Sequence, residues 1–278
     1  MRAAVVGHVE WVDFVRVERI PRQGEIVHAD TAWEEPAGGG AVAAVQLRRL
    51  GADTVFFTAL GDDERGRAAE AWLAEHGVRV HVAWRPPPQR RAVTFLDGGA
   101  ERTITVMGER HVPRGDDRLP WKELEDVDAV YFTGGDAGAL AGARRARAVV
   151  ATPRARGPLA GAGVQLDALV HSGSDAGERY GPGDVDPPPR FVVATLGARG
   201  GSWTGAEGRT GTFQAAPLPG PPVDAYGCGD SFAAGLTFGL GRGDSIEEAV
   251  ALAARCGAVC LTGDGPYGAQ LRLGRDST

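Results

Sequence analysis

The sequence predicts an α/β protein: a doubly wound, mostly parallel sheet flanked by helices, with a small antiparallel sheet attached. Two observations carry that expectation. Short, continuously apolar runs recur at residues 3–7, 54–60, 129–133, 148–151, 168–171 and 191–196, separated by helix-length or Gly- and Pro-rich segments. Such runs read as strands buried on both faces, and their alternation with helices argues for one sheet covered on both sides. Residues 11–35 and 78–111 instead carry the period of two expected of strands with one wet face.

The bulk numbers bound the function. With 278 residues, 43% of them hydrophobic, the chain is long and apolar enough for a sizeable core, in one large α/β domain or two small ones. A net charge of −6 argues against a nucleic-acid-binding surface. Lys122 is the sole lysine, so charge-assisted contacts to phosphate must come from arginine. Cys228, Cys256 and Cys260 form a sparse, odd set that suits a reducing compartment. Cys256 and Cys260, four residues apart, share one helix face and read as core. The opening apolar run is too short for a signal peptide and no window reaches a membrane span, so the expectation is a soluble, cytoplasmic protein.

Taken in order, residues 3–7 form the first buried strand. Val12, Phe14, Val15, Val17 and Ile20 then interleave with Asp13, Arg16, Glu18 and Arg19, which reads as a half-exposed strand. Residues 21–24 make a turn and 25–33 a second exposed strand. Gly38, Gly39 and Gly40 lead into a helix over 41–50 that Gly51 stops. On pattern alone, Asp13 is a solvated residue of an edge strand. After the strand at 54–60, residues 61–66 are a loop opening a helix that runs through Glu75 and is capped by Gly77. Asp62 and Asp63 fit the positive end of that helix better than a metal site.

Residues 92–96 and 102–106 flank a Gly-rich turn at 97–101, the pattern of a hairpin. Arg144, Arg145 and Arg147 read as a solvated helix face. Residues 201–216 are a pair of short strands and 217–222 a stiff Pro-rich linker. Ser245 followed by Glu248 is a capping box opening a helix over 245–261.

The chemistry concentrates at Gly227, Cys228, Gly229 and Asp230, followed by an apolar, helix-forming run. Without β-carbons, the two glycines adopt backbone angles closed to other residues and let a ligand approach. The first amides of a helix have no internal partner, and the helix dipole makes that end positive. The turn is therefore suited to a phosphate or a developing phosphoryl charge, with Asp230 placed to accept a proton from an attacking hydroxyl. The alternative is an ordinary turn with Asp as helix cap.

The segment 223–236 resembles the C-terminal signature of the ribokinase-like (PfkB) carbohydrate kinases, Asp-Thr-x-Gly-Ala-Gly-Asp-x-Phe, with Ala225 in place of the Thr and Cys228 in place of the Ala. The resemblance implies that Asp230 is the general base and that the amides of Gly227, Cys228 and Gly229 form the anion hole. The beginning of the chain is similar to the same family: a strand ending in Gly, an Asp, a Pro-x-x-Gly-Glu turn and a Gly-Gly helix. By that resemblance Asp13 would bind acceptor hydroxyls, and Gly38, Gly39 and Gly40 would approach the acceptor or hinge a lid. The Asn usual in that helix is absent, with Val42 and Ala43 in its place.

The loop 195–201 resembles the family's nucleotide loop, which would place Thr195, Gly197 and Gly200 along ATP. Counting from Asp167 puts Ser172 and Asp175 where relatives carry Asn-x-x-Glu, which makes Asp175 the metal candidate. The resemblance implies a single ribokinase-like domain over residues 1–278 whose segments 10–36 and 79–112 form a β lid, a frequent dimer contact. Trp11, Phe14, Trp33 and Phe95 are the candidate apolar residues, which ordinary packing within the lid would explain equally well. It implies an ATP- and Mg²⁺-dependent kinase of a hydroxyl, a hydroxymethyl group on a sugar-like molecule. Two alternatives stand beside it: a kinase of nucleosides or other small alcohols, and a ligand-binding relative without turnover.

Overall fold

The computed structural model describes residues 1–206 and 208–274; Glu207 and the last four positions of the expected domain lie outside the described residues. In chain order the first strands are β1 (Arg2–His8), β2 (Glu10–Arg16), β3 (Thr31–Ala37), β4 (Asp53–Gly61), β5 (Arg79–Arg85), β6 (Arg91–Leu96) and β7 (Arg102–Met107). They are followed by β8 (Ala129–Phe132), β9 (Ala148–Ala151), β10 (Ala168–Ser172), β11 (Phe191–Thr195), β12 (Gly201–Gly205) and β13 (Thr210–Phe213). The α-helices are α1 (Gly39–Arg49), α2 (Glu64–Glu75), α3 (Ala137–Ala143), α4 (Arg156–Leu159), α5 (Cys228–Arg242), α6 (Ile246–Cys260) and α7 (Gly265–Gly268).

The large sheet has the order β13-β12-β11-β10-β9-β8-β1-β4-β5, parallel except where β12 and β13 turn back. β1 is an interior strand, third from the β5 edge, paired with β4 on one side and β8 on the other. Its side chains alternate between two cores. Ala3 and Val5 join the apolar layer under α1, α5 and α6, whereas Ala4 and Val6 join the layer under α3. Burial on both faces explains why β1 reads as an unbroken apolar run rather than an alternating one.

Helices α5 and α6 pack closely because small residues line their contact. A Cβ at Gly235 would lie 2.8 Å from the Ala253 Cα, and one at Gly239 would lie 2.8 Å from the Ala249 Cβ. Ser245 and Glu248 form the expected capping box at the start of α6. Asp63 caps α2 by accepting from the Gly66 amide at 2.9 Å, as its place at a helix start implied. Cys256 and Cys260 are buried in the core.

The small sheet has the order β3-β2-β6-β7. The hairpin β6–β7 and the pair β2–β3 are antiparallel, while β2 and β6 run parallel.

Four expectations change. β5 pairs parallel with β4 and belongs to the large sheet, because Val80, Val82 and Trp84 pack onto its core; a half-buried edge strand alternates just as a small-sheet strand does. The second exposed strand is confined to Thr31–Ala37, since residues 25–30 make no ladder. β2 is an interior strand of the small sheet, so Asp13 is not at an edge. Arg144, Arg145 and Arg147 follow the end of α3 instead of lying on a helix face; Arg145 and Arg147 are exposed as expected, and the three pair with Asp167, Glu125 and Asp128.

Candidate active site

Four segments converge at the carboxyl end of the large sheet, where a doubly wound sheet places ligands. They are the end of β1 at His8, the start of α1 at Gly38 to Gly40, Thr133 just after β8, and the start of α5. A Cβ at Gly39 would sit 2.8 Å from Oδ1 of Asp230 and 2.9 Å from Oγ1 of Thr133, so α1 reaches the carboxylate only as glycine. At Gly40 a Cβ would meet the His8 carbonyl oxygen and the Phe56 ring, each at 2.6 Å. The Gly38 amide donates to the Tyr226 phenol oxygen at 3.3 Å, which ties the two glycine turns to each other.

Helix α5 begins at Gly227 with φ +80°, and a Cβ there would lie 2.8 Å from the Pro266 Cβ. Asp224, fully buried, holds the turn: one carboxylate oxygen accepts from the Tyr226 amide at 2.7 Å and the other from the Gly265 amide at 3.0 Å. Among the described residues, no carbonyl accepts from the Gly229 or Asp230 amide; the first helical bond is donated by Ser231 to Gly227 at 2.8 Å. A Cβ at Gly229 would meet nothing within 4 Å, so the approach to these amides is open. The Cys228 amide points back into its turn, 3.5 Å from the Ala225 carbonyl. Its thiol faces Cys260, and that contact together with burial pushes it up and keeps it protonated.

Burial first, and then the Glu178 carboxylate, raise the Asp230 carboxyl to about 6 against the pull of Arg102 and Arg154. At neutral pH the group is still ionised and is a stronger base than a free Asp.

The two sides of Asp230 differ. Toward β10 and β11, Arg154 pairs with both Asp175 and Glu178; its Nε lies 2.7 Å from Glu178. The Ser172 amide donates to the other Glu178 oxygen at 2.7 Å. Thr195 ends β11, and Gly197 sits with φ +58° and open space at its missing Cβ. Gly200, at φ +77°, is required by the β11–β12 turn itself, since a Cβ would lie 2.0 Å from the Phe213 carbonyl oxygen.

Toward β1 and the small sheet stand His8, Glu10, Arg90 and Arg110. Arg90 Nε lies 2.9 Å from a Glu10 oxygen. Burial and the charges of Arg110, Arg90 and Arg154 hold His8 well below the usual imidazole range, so it is neutral.

Asp13 is not brought to this centre. Its carboxylate accepts from Arg91 at 2.8 Å. The next residue, Phe14, turns inward to meet the Tyr226 ring edge-on at 5.0 Å, so strand alternation points Asp13 the other way. Phe14 also stacks on Trp33, which makes these aromatics internal packing rather than an exposed contact surface. Gly38, Gly39, Gly40, Gly227, Gly229 and Asp230 are brought together, and Thr195, Gly197 and Gly200 lie at the end of β11. Sequence reading missed Glu178, His8, Glu10, Thr133, Arg90, Arg110 and Arg154. Among these only Glu178 left a local signal, an acid three residues beyond Asp175 on the same connection.

A family model described as the pfkB family of carbohydrate kinases matches residues 2–157 and 185–271. The chain belongs to that family. It is a carbohydrate kinase, and the Gly-Cys-Gly-Asp turn with its helix lies within the matched region. One relative is the ATP-dependent ribose-1-phosphate kinase of Halopiger xanaduensis, 26% identical across 95% of this chain and 93% of that enzyme. Another is the fructokinase of Klebsiella pneumoniae, 28% identical across 83% and 87% respectively. Among solved structures, the ribokinase of Giardia lamblia superposes with a TM-score of 0.80 at 17% identity, covering 98% of this chain and 97% of that one. The Arabidopsis thaliana ribokinase solved with ribose and ATP superposes with a TM-score of 0.74 at 20% identity, covering 97% and 95%. These structures share the fold of this pfkB-family kinase.

Among the described residues no helix is long and apolar enough to cross a membrane.

Proposed function

We propose that this carbohydrate kinase transfers the γ-phosphoryl group of ATP to a hydroxyl, of hydroxymethyl type, on a sugar held between the small sheet and Asp230. One observation carries the reading: a carboxylate raised to about 6 stands at the mouth of a helix whose first amides have no acceptor, with Gly39 making room beside it. In the reaction, Asp230 accepts the proton of the attacking hydroxyl as the oxygen–phosphorus bond forms. The Gly229 and Asp230 amides and the positive end of α5 stabilise charge on the transferring group. ATP lies on the Thr195 side, whose open glycine at Gly197 admits it. The relatives' own acceptors, ribose 1-phosphate and fructose by their names, mark the chemical range.

Asp175 and Glu178 are the carboxylates on the nucleotide side. Both are engaged by Arg154, and among the described residues no group of three or more His, Cys, Asp or Glu side chains is arranged to hold a metal. That donor set fits Mg²⁺ carried on the nucleotide phosphates and touched by one or two carboxylates, rather than held in a protein cage. When bound, the ion neutralises phosphate charge.

In this reading β2, β3, β6 and β7 serve as a lid on a single domain. It is already tied down at its tip, where the Ala225 amide donates to the Ala100 carbonyl at 3.1 Å and Arg102 donates to the Ala225 carbonyl at 3.0 Å. A second copy would pack on the lid's outer strand, where Ile104, Val106 and Met107 are 41%, 47% and 40% exposed. Sedimentation of the Val106→Glu variant checks this, with a shift to monomer expected. Three free cysteines suit a cytoplasmic protein.

The test is acceptor-dependent ADP release across a panel of sugars, sugar phosphates and nucleosides. Release with a sugar or sugar phosphate supports the reading. Release with nucleosides alone reassigns the acceptor, and ATP binding without release for any acceptor overturns transfer in favour of a binding protein.

A further inference from the structure

On the small-sheet side of Asp230 the structure gathers more positive charge than it neutralises. Arg90 has Glu10 as its carboxylate partner, yet the Nε–H is not directed along that 2.9 Å contact and makes no hydrogen bond. Arg110, half-buried, has no carboxylate within salt-bridge distance among the described residues. Burial lowers its affinity for its own proton, and Arg90 and Arg154 lower it further. His8, 4% exposed, stands in the same field with Nδ1 lacking any partner. Arg110 also lines a cavity of about 230 Å³ together with Arg85, Glu109 and Val112. Val112 in turn lies next to Gly134 beside His8.

A guanidinium withdrawn from water beside another guanidinium is costly unless an anion completes it. In the proposed reading the nucleotide lies on the Thr195 side, and β10, β9 and β8 stand between β11 and β1 in the sheet, which leaves the acceptor as the anion nearest to Arg90 and Arg110. Arg154 is different, being neutralised by Asp175 and Glu178. The free charge therefore belongs to the acceptor.

We infer that the acceptor is itself an anion, a sugar carrying a phosphate or a carboxylate, whose charged group is held by Arg110 and Arg90 beside His8. This rests on the reading that the acceptor occupies the small-sheet side of Asp230. The arginines also make such a substrate tolerable there, because its charge would otherwise repel both the Asp230 carboxylate and the incoming ATP. A planar guanidinium gives two parallel bonds to phosphate or carboxylate, which fixes the sugar's orientation as well as its affinity.

The experiment compares ribose, ribose 1-phosphate and 2-dehydro-3-deoxygalactonate as acceptors, with the wild type and the Arg110→Gln and Arg110→Lys variants. Binding of each acceptor to the Asp230→Asn protein is measured by calorimetry without turnover. The expected result is a kcat/KM for an anionic acceptor at least about tenfold above that for ribose, the scale of one charge-assisted contact. Arg110→Gln loses that preference while KM for ATP stays within about twofold, and Arg110→Lys recovers part of it. Preference for the phosphate or for the carboxylate tells which anion the site takes.

A neutral sugar used as well as its charged counterparts, or a preference untouched by Arg110→Gln, overturns the inference. If no acceptor turns over, the kinase reading fails separately and calorimetry decides. Binding of an anionic sugar that Arg110→Gln abolishes supports the anion site, and no binding of any anionic sugar sinks it.

Discussion

The two half-sites that meet at Asp230 are built from different materials. Toward α5 the site is main chain: open glycines, unpaired amides and a helix end, held by the buried Asp224. Toward the small sheet it is side chain: Arg90, Arg110, Glu10 and His8, drawn from three separated stretches of sequence. In the proposed reaction the main-chain half would bind what every phosphoryl donor shares, a polyanion, and needs no side-chain code for it. In the same proposal the side-chain half would recognise one acceptor, so its identity would reside in residues whose spacing is set only by folding.

Substitutions break this comparison at different depths. The largest effect belongs to the carboxylate both halves use. Asp230→Asn should fold with unchanged melting temperature and lower kcat by at least about a hundredfold, the scale of a lost general base. Steady-state rates with saturating ATP and acceptor measure it.

Gly39→Ala comes next. Its new methyl would stand 2.8 Å from Asp230 Oδ1 and 2.9 Å from Thr133 Oγ1, so one of them must move. A displaced base costs about tenfold to a hundredfold in kcat. A fall in KM affinity with kcat intact would show that the close approach serves binding alone.

Gly229→Ala separates stability from ligand approach. The added methyl meets nothing in the protein, and Ala is favoured over Gly in a helix by about 1 kcal/mol, so the melting temperature should hold or rise. KM for ATP should rise about tenfold if phosphate comes to that amide, a loss of positioning. An unchanged KM would move the phosphate elsewhere.

Glu178→Gln should have the smallest effect. Glu178 raises the Asp230 carboxyl, so its removal lowers that group and moves the acid limb of the rate profile to lower pH. A shift upward would contradict the charge coupling.

The same contrast explains what the sequence made legible. The large sheet was readable because doubly buried strands such as β1 leave unbroken apolar runs, and the α5 turn because Gly227 and Gly229 answer constraints no other residue meets so well. β5 was read into the small sheet because an edge strand with Val80, Val82 and Trp84 facing the core alternates like a hairpin strand. The family resemblance assigns Asp13 to acceptor hydroxyls, whereas a period of two sends it and Phe14 to opposite faces, and Phe14 faces Tyr226. Arg90 and Arg110 lay in stretches with no motif, and only the meeting of β1 with the small sheet gives them a role. Glu178 lies three residues beyond Asp175, outside the Asn-x-x-Glu spacing, and only the fold brings it to Arg154.

The account turns on Asp230 being an ionised base with a raised carboxyl, and the pH dependence of kcat/KM reads that directly. A base must be deprotonated, so the rate should be flat above about 6 and fall about tenfold per pH unit below it, with the limb absent from the residual activity of Asp230→Asn. A limb at the ordinary carboxylate position, or the same limb persisting in Asp230→Asn, would contradict it.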